Sequence, residues 1–141
     1  IIPMSATVPS IDNVRQLDLS HVLPPDAPTN HLVDRLQFWA NTKPNSAAFY
    51  FTDGETNDDL SLTYAQLDHA ARAVAVELQK DLQPGDRAIL MYPPGLDFVI
   101  GYFGCLYAGC VAVPAFPPKR NRKGMRIQNI AQDCAAKAGL T

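Results

Sequence analysis

The chain has 141 residues, 47% of them hydrophobic, with a formal net charge of −2 and three cysteines. That length and composition suit a globular domain with a usable core, and the near-neutral charge excludes a global attraction to nucleic acid or acidic membranes. Cys105, Cys110 and Cys134 form no CxxC pair and fall inside helix or strand patterns, which excludes a disulfide scaffold and reads as reduced thiols in a cytoplasmic protein. No apolar run is long enough to span a bilayer, and the first residues lack the charged-then-apolar layout of a secretion signal.

Residues 1–28 mix Pro3, Pro9, Pro24, Pro25 and Pro28 with polar residues and keep no sustained period, the pattern of an N-terminal arm or linker. From Thr29 or Asn30 as N-cap, Leu32, Val33, Leu36, Trp39 and Ala40 make a helical stripe that Lys43-Pro44 ends. Ala47 to Thr52 reads as a strand, Asp53–Asp59 as a polar turn, and Leu60-Ser61-Leu62-Thr63 alternates with period two, so the two arms form a β-hairpin. Thr63 and Gln66 are spaced as a capping box for a helix whose apolar stripe is Leu67, Ala70, Ala71, Val74, Ala75 and Leu78.

Pro84-Gly85-Asp86 turns the chain into Ala88–Tyr92, a continuous apolar run that suits a strand buried on both faces and that Pro93-Pro94-Gly95 closes. Leu96, Val99, Ile100, Phe103, Leu106 and Tyr107 then recur at helical steps, with Asp97 in the first turn and Gly109 placed as a left-handed cap. Cys110–Val113 is a second apolar strand, ended by Pro114 and Phe116-Pro117-Pro118. Strand, helix, strand of this length implies a βαβ unit with parallel strands and a right-handed crossover. A basic loop from Lys119 to Arg126 follows, then a helix from about Met125 to Lys137 with Ile127, Ile130, Ala131 and Cys134 inward. Ala138-Gly139-Leu140-Thr141 reads as a helix C-cap and the first residues of another strand, so residues 29–141 are expected to be an incomplete subdomain truncated at the start of a strand.

The fold class is therefore α/β, a β-hairpin plus a βαβ unit with flanking helices. Parallel strands bring Tyr92–Gly95 and Ala115–Pro118 to one rim, the carboxyl-end rim at which open α/β sheets bind ligands. Tyr92, Pro93, Pro94, Gly95, Phe116 and Pro117 are accordingly candidates for the wall of a substrate cleft, because proline makes the turns stiff and the aromatics offer apolar surface. The plainer reading leaves the prolines as strand stops and the aromatics as core. Arg120, Arg122 and Arg126 are either a solvated face or a docking site for an acidic partner protein.

No catalytic residue is assigned. The chain has no GxxxxGK[ST] phosphate loop and no GxSxG elbow, and Gly101, Gly104 and Gly109 fall within or at the end of a helix. No metal ligand is assigned either: His21, His31 and His69 lie far apart, and the Asp53–Asp59 cluster lacks the glutamate that completes a calcium loop.

Leu62-Thr63-Tyr64-Ala65-Gln66-Leu67, Pro84-Gly85-Asp86-Arg87 and the run from Gly104 to Pro114 resemble, in order and spacing, the landmarks of the adenylate-forming acyl ligases. Tyr92-Pro93-Pro94-Gly95-Leu96-Asp97-Phe98 and Pro117-Pro118-Lys119-Arg120 resemble the fatty acyl-AMP ligase branch more than the acyl-CoA ligases. The likeness covers about residues 31 to 141 and implies the N-terminal portion of an adenylate-forming ligase fold. It further implies a parent enzyme that activates a fatty acid with ATP and Mg and passes the acyl group to an acyl-carrier protein, in lipid, polyketide or lipopeptide biosynthesis. That carrier protein is the acidic partner the resemblance implies for Arg120, Arg122 and Arg126. The family's phosphate loop, nucleotide contacts, hinge and catalytic lysine would lie beyond Thr141, so this stretch is expected to hold no cofactor, to be inactive alone and to pack against the remainder of the ligase. A fragment of an acyl-CoA ligase, or a non-catalytic module that docks a carrier protein, are the alternatives.

Overall fold

A computed structural model describes residues 31–52, 60–117 and 125–141. The N-cap of helix α1 (Leu32–Thr42) lies one to two residues later than expected, because His31 is still extended (φ −132°, ψ 147°) and is itself the cap, without a side-chain cap bond. Thr29 and Asn30, like the arm 1–28, lie outside the described residues. The helix stops at Lys43, whose N–H reaches the Trp39 carbonyl at 2.8 Å before Pro44 forbids another turn. Of the expected stripe only Leu36 is fully buried, and Leu32 at the open end is exposed.

Strands β1 (Ala47–Phe51) and β2 (Leu60–Thr63) pair antiparallel, with Phe49 opposite Leu62 and Phe51 opposite Leu60. The turn between them, 53–59, lies outside the described residues. Thr63 ends the hairpin and starts α2 (Tyr64–Leu78) through a complete capping box. The Gln66 N–H donates to Thr63 Oγ1 at 3.2 Å, and the Thr63 N–H donates to Gln66 Oε1 at 2.9 Å. Leu67, Ala71, Ala75 and Leu78 are its buried face.

The turn at Gly85 (φ 89°) leads into β3 (Arg87–Leu90), then α3 (Leu96–Ala108), β4 (Val111–Pro114), α4 (Met125–Asp133) and β5 (Ala138–Leu140). The sheet has the order β4-β3-β5, with both neighbours parallel to β3. β3 is thus the central strand, and Ala88, Ile89 and Leu90 are at most 3% exposed. Its regular pairing ends at Leu90, short of Tyr92, although the Met91 N–H still donates to the Leu140 carbonyl at 2.8 Å.

Two expectations about α3 and α4 need correction. The fully buried residues of α3 are Gly101, Phe103, Gly104, Cys105 and Ala108, so it is mainly the small-residue side that turns to its neighbours, while Val99, Ile100, Leu106 and Tyr107 are only partly covered. The helix is apolar on nearly every side, and close approach to α2 decides the face: a Cβ on Gly104 would lie 2.6 Å from Val74 Cβ and 3.3 Å from the Ala71 carbonyl oxygen. Gly109 does cap the helix as expected, at φ 73°. Helix α4 ends at Asp133, well before Lys137, through Ala135 at φ 47° and an Ala136 N–H bond to the Ala131 carbonyl at 2.9 Å. Gly139 is therefore no cap; it is paired opposite Ile89 inside β5, where Met91 Cε stands 3.0 Å from the place of a Cβ.

The core lies on both sides of α3. Ala75, Leu78, Leu82, Ala88, Leu90, Cys105, Ala108 and Cys110 form one cluster against the sheet, and Leu36, Leu67, Ala71 and Phe103 form another that the hairpin's Ala48 and Leu62 cover. Burying a leucine this completely contributes about 1.5–3 kcal/mol. These clusters fix the rim of the sheet on which the candidate site is built.

Candidate functional site: an apolar cleft at the carboxyl rim

Register decides which turns meet. Leu90 pairs with Pro114 at the carboxyl ends of β3 and β4, and the Ala115 N–H donates to the Leu90 carbonyl at 2.9 Å. The segments that leave these strands run side by side, and Tyr92, Pro93, Pro94, Phe98, Pro114, Ala115 and Phe116 enclose a cleft of about 330 Å³. That volume is at the small end of the ~300–1,000 Å³ range of ligand pockets.

The structure brings together four of the six cleft candidates, Tyr92, Pro93, Pro94 and Phe116. Gly95 and Pro117 lie next to the cleft in the chain but do not line it. Gly95 is instead the N-cap of α3, in an extended conformation (φ 162°). Phe98 is the lining side chain that periodicity misses. It lies off the Leu96–Val99–Ile100–Phe103 stripe, in the first turn of α3, and stacks on Tyr102 at 6.2 Å. An aromatic residue set off the apolar stripe, just past a strand-ending turn, is the signal that marks it.

The chemistry of the cleft follows from its walls. Pro93, Pro94 and Pro114 have no backbone N–H to offer, and Phe116 leaves 75% of its surface in solvent. Tyr92 supplies a hydroxyl whose pKa is raised, first by burial and then by the charge of Asp97, so it stays a neutral phenol. Such a lining suits an apolar group, and among the described residues it holds neither a nucleophile nor an acid–base pair. The Cys105 thiol, behind it in the core, is pushed up to about 11 by burial and is no thiolate at neutral pH.

A triphosphate does not fit these residues. Among the described residues the cleft is lined by no lysine, arginine or glycine-rich cradle, and no three His, Cys, Asp or Glu side chains are grouped to hold a metal ion. Arg120 and Arg122 lie outside the described residues, and Arg126 is an exposed residue in the first turn of α4. No helix of the described residues is long and apolar enough to cross a membrane.

Comparison with known proteins shows the family. The AMP-binding enzyme family matches residues 36–141. A medium-chain-fatty-acid–[acyl-carrier-protein] ligase, JamA of Moorena producens, is 42% identical over 113 residues, which are 78% of this chain and 19% of that protein. The long-chain-fatty-acid–AMP ligase FadD32 of Mycolicibacterium smegmatis is 37% identical over 113 residues, 78% of this chain and 18% of that protein. The crystal structure of a fatty acyl-adenylate ligase from L. pneumophila, in complex with acyl adenylate and pyrophosphate, superposes with a TM-score of 0.71 at 37% identity, over 77% of this chain and 19% of that one. The chain thus spans about a fifth of the length of the relatives it matches. It belongs to the AMP-binding enzyme family and corresponds to the N-terminal portion of the fatty acyl-AMP ligases within it.

Proposed function

We propose that this chain is the front part of a fatty acyl-AMP ligase and that its cleft forms one wall of the site that receives the fatty acid. In the first half-reaction a fatty-acid carboxylate oxygen attacks the α-phosphorus of ATP and pyrophosphate leaves. In the second, the phosphopantetheine thiol of an acyl-carrier protein attacks the acyl carbon and AMP leaves. The observation that carries the reading is the apolar cleft between two proline-stiffened turns at the carboxyl ends of adjacent parallel strands. It suits a hydrocarbon chain and offers little to replace the hydration of a phosphate, and on this reading ATP and its magnesium are held by the remainder of the ligase. Identity to a fatty-acid–AMP ligase and to a fatty-acid–carrier-protein ligase supports the same substrate class and the same acceptor.

On this reading the 141-residue chain by itself does not adenylate, because it carries no recognisable phosphate-loop motif and spans only about a fifth of the length of its relatives. Arg120, Arg122 and Arg126 are proposed to meet the acidic face of the carrier protein. ATP–pyrophosphate exchange is the test. The full-length protein is expected to exchange only with a fatty acid present, and the isolated chain not at all; fatty-acid-independent exchange would refute the assignment. Acyl transfer to holo-carrier protein, compared with transfer to coenzyme A, separates this reading from an acyl-CoA ligase. Arg120→Glu with Arg122→Glu is expected to slow carrier transfer in a salt-dependent way and to spare adenylation.

A further inference from the structure

Behind the cleft wall lies a glycine with no turn to make. Gly101 sits inside α3, fully buried, one helical turn beyond Phe98. A Cβ built on it would stand 2.7 Å from Tyr92 Cε2, 3.4 Å from Tyr92 Cζ and 3.4 Å from Leu90 Cδ2. The hydrogen at this position is what lets the Tyr92 ring lie back against the helix.

We propose that Gly101 sets the depth of the cleft, and hence the length of acyl chain accepted, by letting the Tyr92 ring recede from it. This rests on the cleft's being the acyl-receiving wall proposed above. Leu90 is wholly buried in the core and has no room to yield. Tyr92 is only partly buried and is the ring that both packs on Gly101 and lines the cleft, so its open side is the cleft itself. Any side chain at position 101 therefore drives the phenol ring outward into the 330 Å³ space. Gly101 touches no substrate; it is a positioning residue that acts through Tyr92.

The test is the chain-length profile of the full-length protein across saturated acids from octanoic to hexadecanoic, read as kcat/KM in fatty-acid-dependent pyrophosphate exchange. Gly101→Ala is expected to shift the preference to shorter acids, with roughly a tenfold or larger loss for each methylene denied room. Tyr92→Ala is expected to shift it to longer acids, and Gly101→Ala in the Tyr92→Ala background to leave the profile where Tyr92→Ala put it. A merely structural role for Gly101 would lower kcat/KM for all acids alike in both backgrounds, and that result overturns the inference. If Gly101→Ala does not fold, Tyr92→Ala decides alone: an unchanged profile overturns it. If the wild type exchanges with no acid, the adenylation reading fails separately. Displacement of a fluorescent fatty acid then still tests the cleft, with equal chain-length preference in wild type and Gly101→Ala counting against the inference.

Discussion

Tyr107 of α3 donates its phenolic hydrogen to the Asp68 carboxylate of α2, a residue 39 positions earlier. The Arg72 guanidinium both pairs with Asp68 at 2.9 Å and lies 5.0 Å from the Tyr107 ring centroid. One phenol thereby ties α3 to α2 in the layer that supports the sheet. The Arg72 side chain is 52% exposed, so its pair with Asp68 contributes little by itself, and the tie rests mainly on Tyr107.

Tyr107→Phe is expected to cost about 1 kcal/mol, the usual net worth of such a bond. The cost should depend on pH. Burial, followed by the hydrogen bond and the negative charge of Asp68, pushes the Tyr107 pKa up to about 12, from an unfolded value of about 10. The folded protein then holds this proton more tightly than the unfolded one, so the contribution is complete below pH ~10 and falls as pH rises through the folded value. Unfolding measured from pH 8 upward, the range below and across that value, should show the gap between wild type and variant closing in alkali. A gap independent of pH would refute the role given to the phenol.

Asp86 at the foot of β3 is the acid-sensitive counterpart. It pairs with Lys137 at 2.8 Å and accepts the Gln83 N–H at 2.9 Å, which holds the start of β5 against β3. The Lys137 hydrogen bond, then the Gln83 N–H, lower its pKa. A lowered folded pKa means stability present above the unfolded value of about 3.9 and lost as pH falls through the folded one. Asp86→Asn is therefore expected to destabilise at neutral pH and to match wild type in strong acid. Unfolding curves of the two proteins at neutral and acidic pH test this, and a difference that survives in acid would argue for a packing defect.

How much of this was legible in the residues differs by element. The hairpin, the Thr63–Gln66 capping box and the parallel pairing of β3 with β4 are set by local chemistry, and each stands where period and cap residues put it. The buried face of α3 was not legible, since the helix is apolar nearly all round and the choice of the Gly101–Gly104–Ala108 side is made by α2 and Tyr92, distant in sequence. Gly139 misled because a glycine after a helical pattern suits a cap, whereas the chain placed Ala135 at positive φ and used Gly139 in a strand. The rim was deducible from strand direction; the contribution of Phe98 needed the helix rotation that periodicity assigned to other residues.

Phe116 gives the cleft a test free of folding effects. With 75% of its surface exposed, it contributes little to the core, and surface replacements of this kind usually change stability by less than about 0.5 kcal/mol. A carboxylate there would meet the hydrocarbon chain and lose hydration. Phe116→Asp in the full-length protein is expected to raise the KM for fatty acid roughly tenfold or more, with the KM for ATP and the melting temperature unchanged. Equal effects on both substrates would place Phe116 outside the acyl-receiving wall.

Gly104 and Val74 set how closely α2 and α3 approach, and the geometry predicts an order among variants. A Cβ on Gly104 would meet Val74 Cγ1 and, at 2.6 Å, Val74 Cβ, with the Ala71 carbonyl oxygen 3.3 Å away. Gly104→Ala must therefore part the helices, at about 1–3 kcal/mol for overpacking, even though alanine is the better helix former. Val74→Ala removes Cγ1 and keeps Cβ, so it should relieve only part of that cost. Val74→Gly removes both atoms and should relieve most of it, although glycine in a helix costs about 1 kcal/mol of its own. Double-mutant cycles from urea unfolding should then give a coupling between the sites that favours the doubly substituted protein, within the ~0.5–3 kcal/mol range of contacting residues, and larger for Val74→Gly than for Val74→Ala. Additive costs in both cycles would mean that the helices part without hindrance and that Gly104 is not what holds them close.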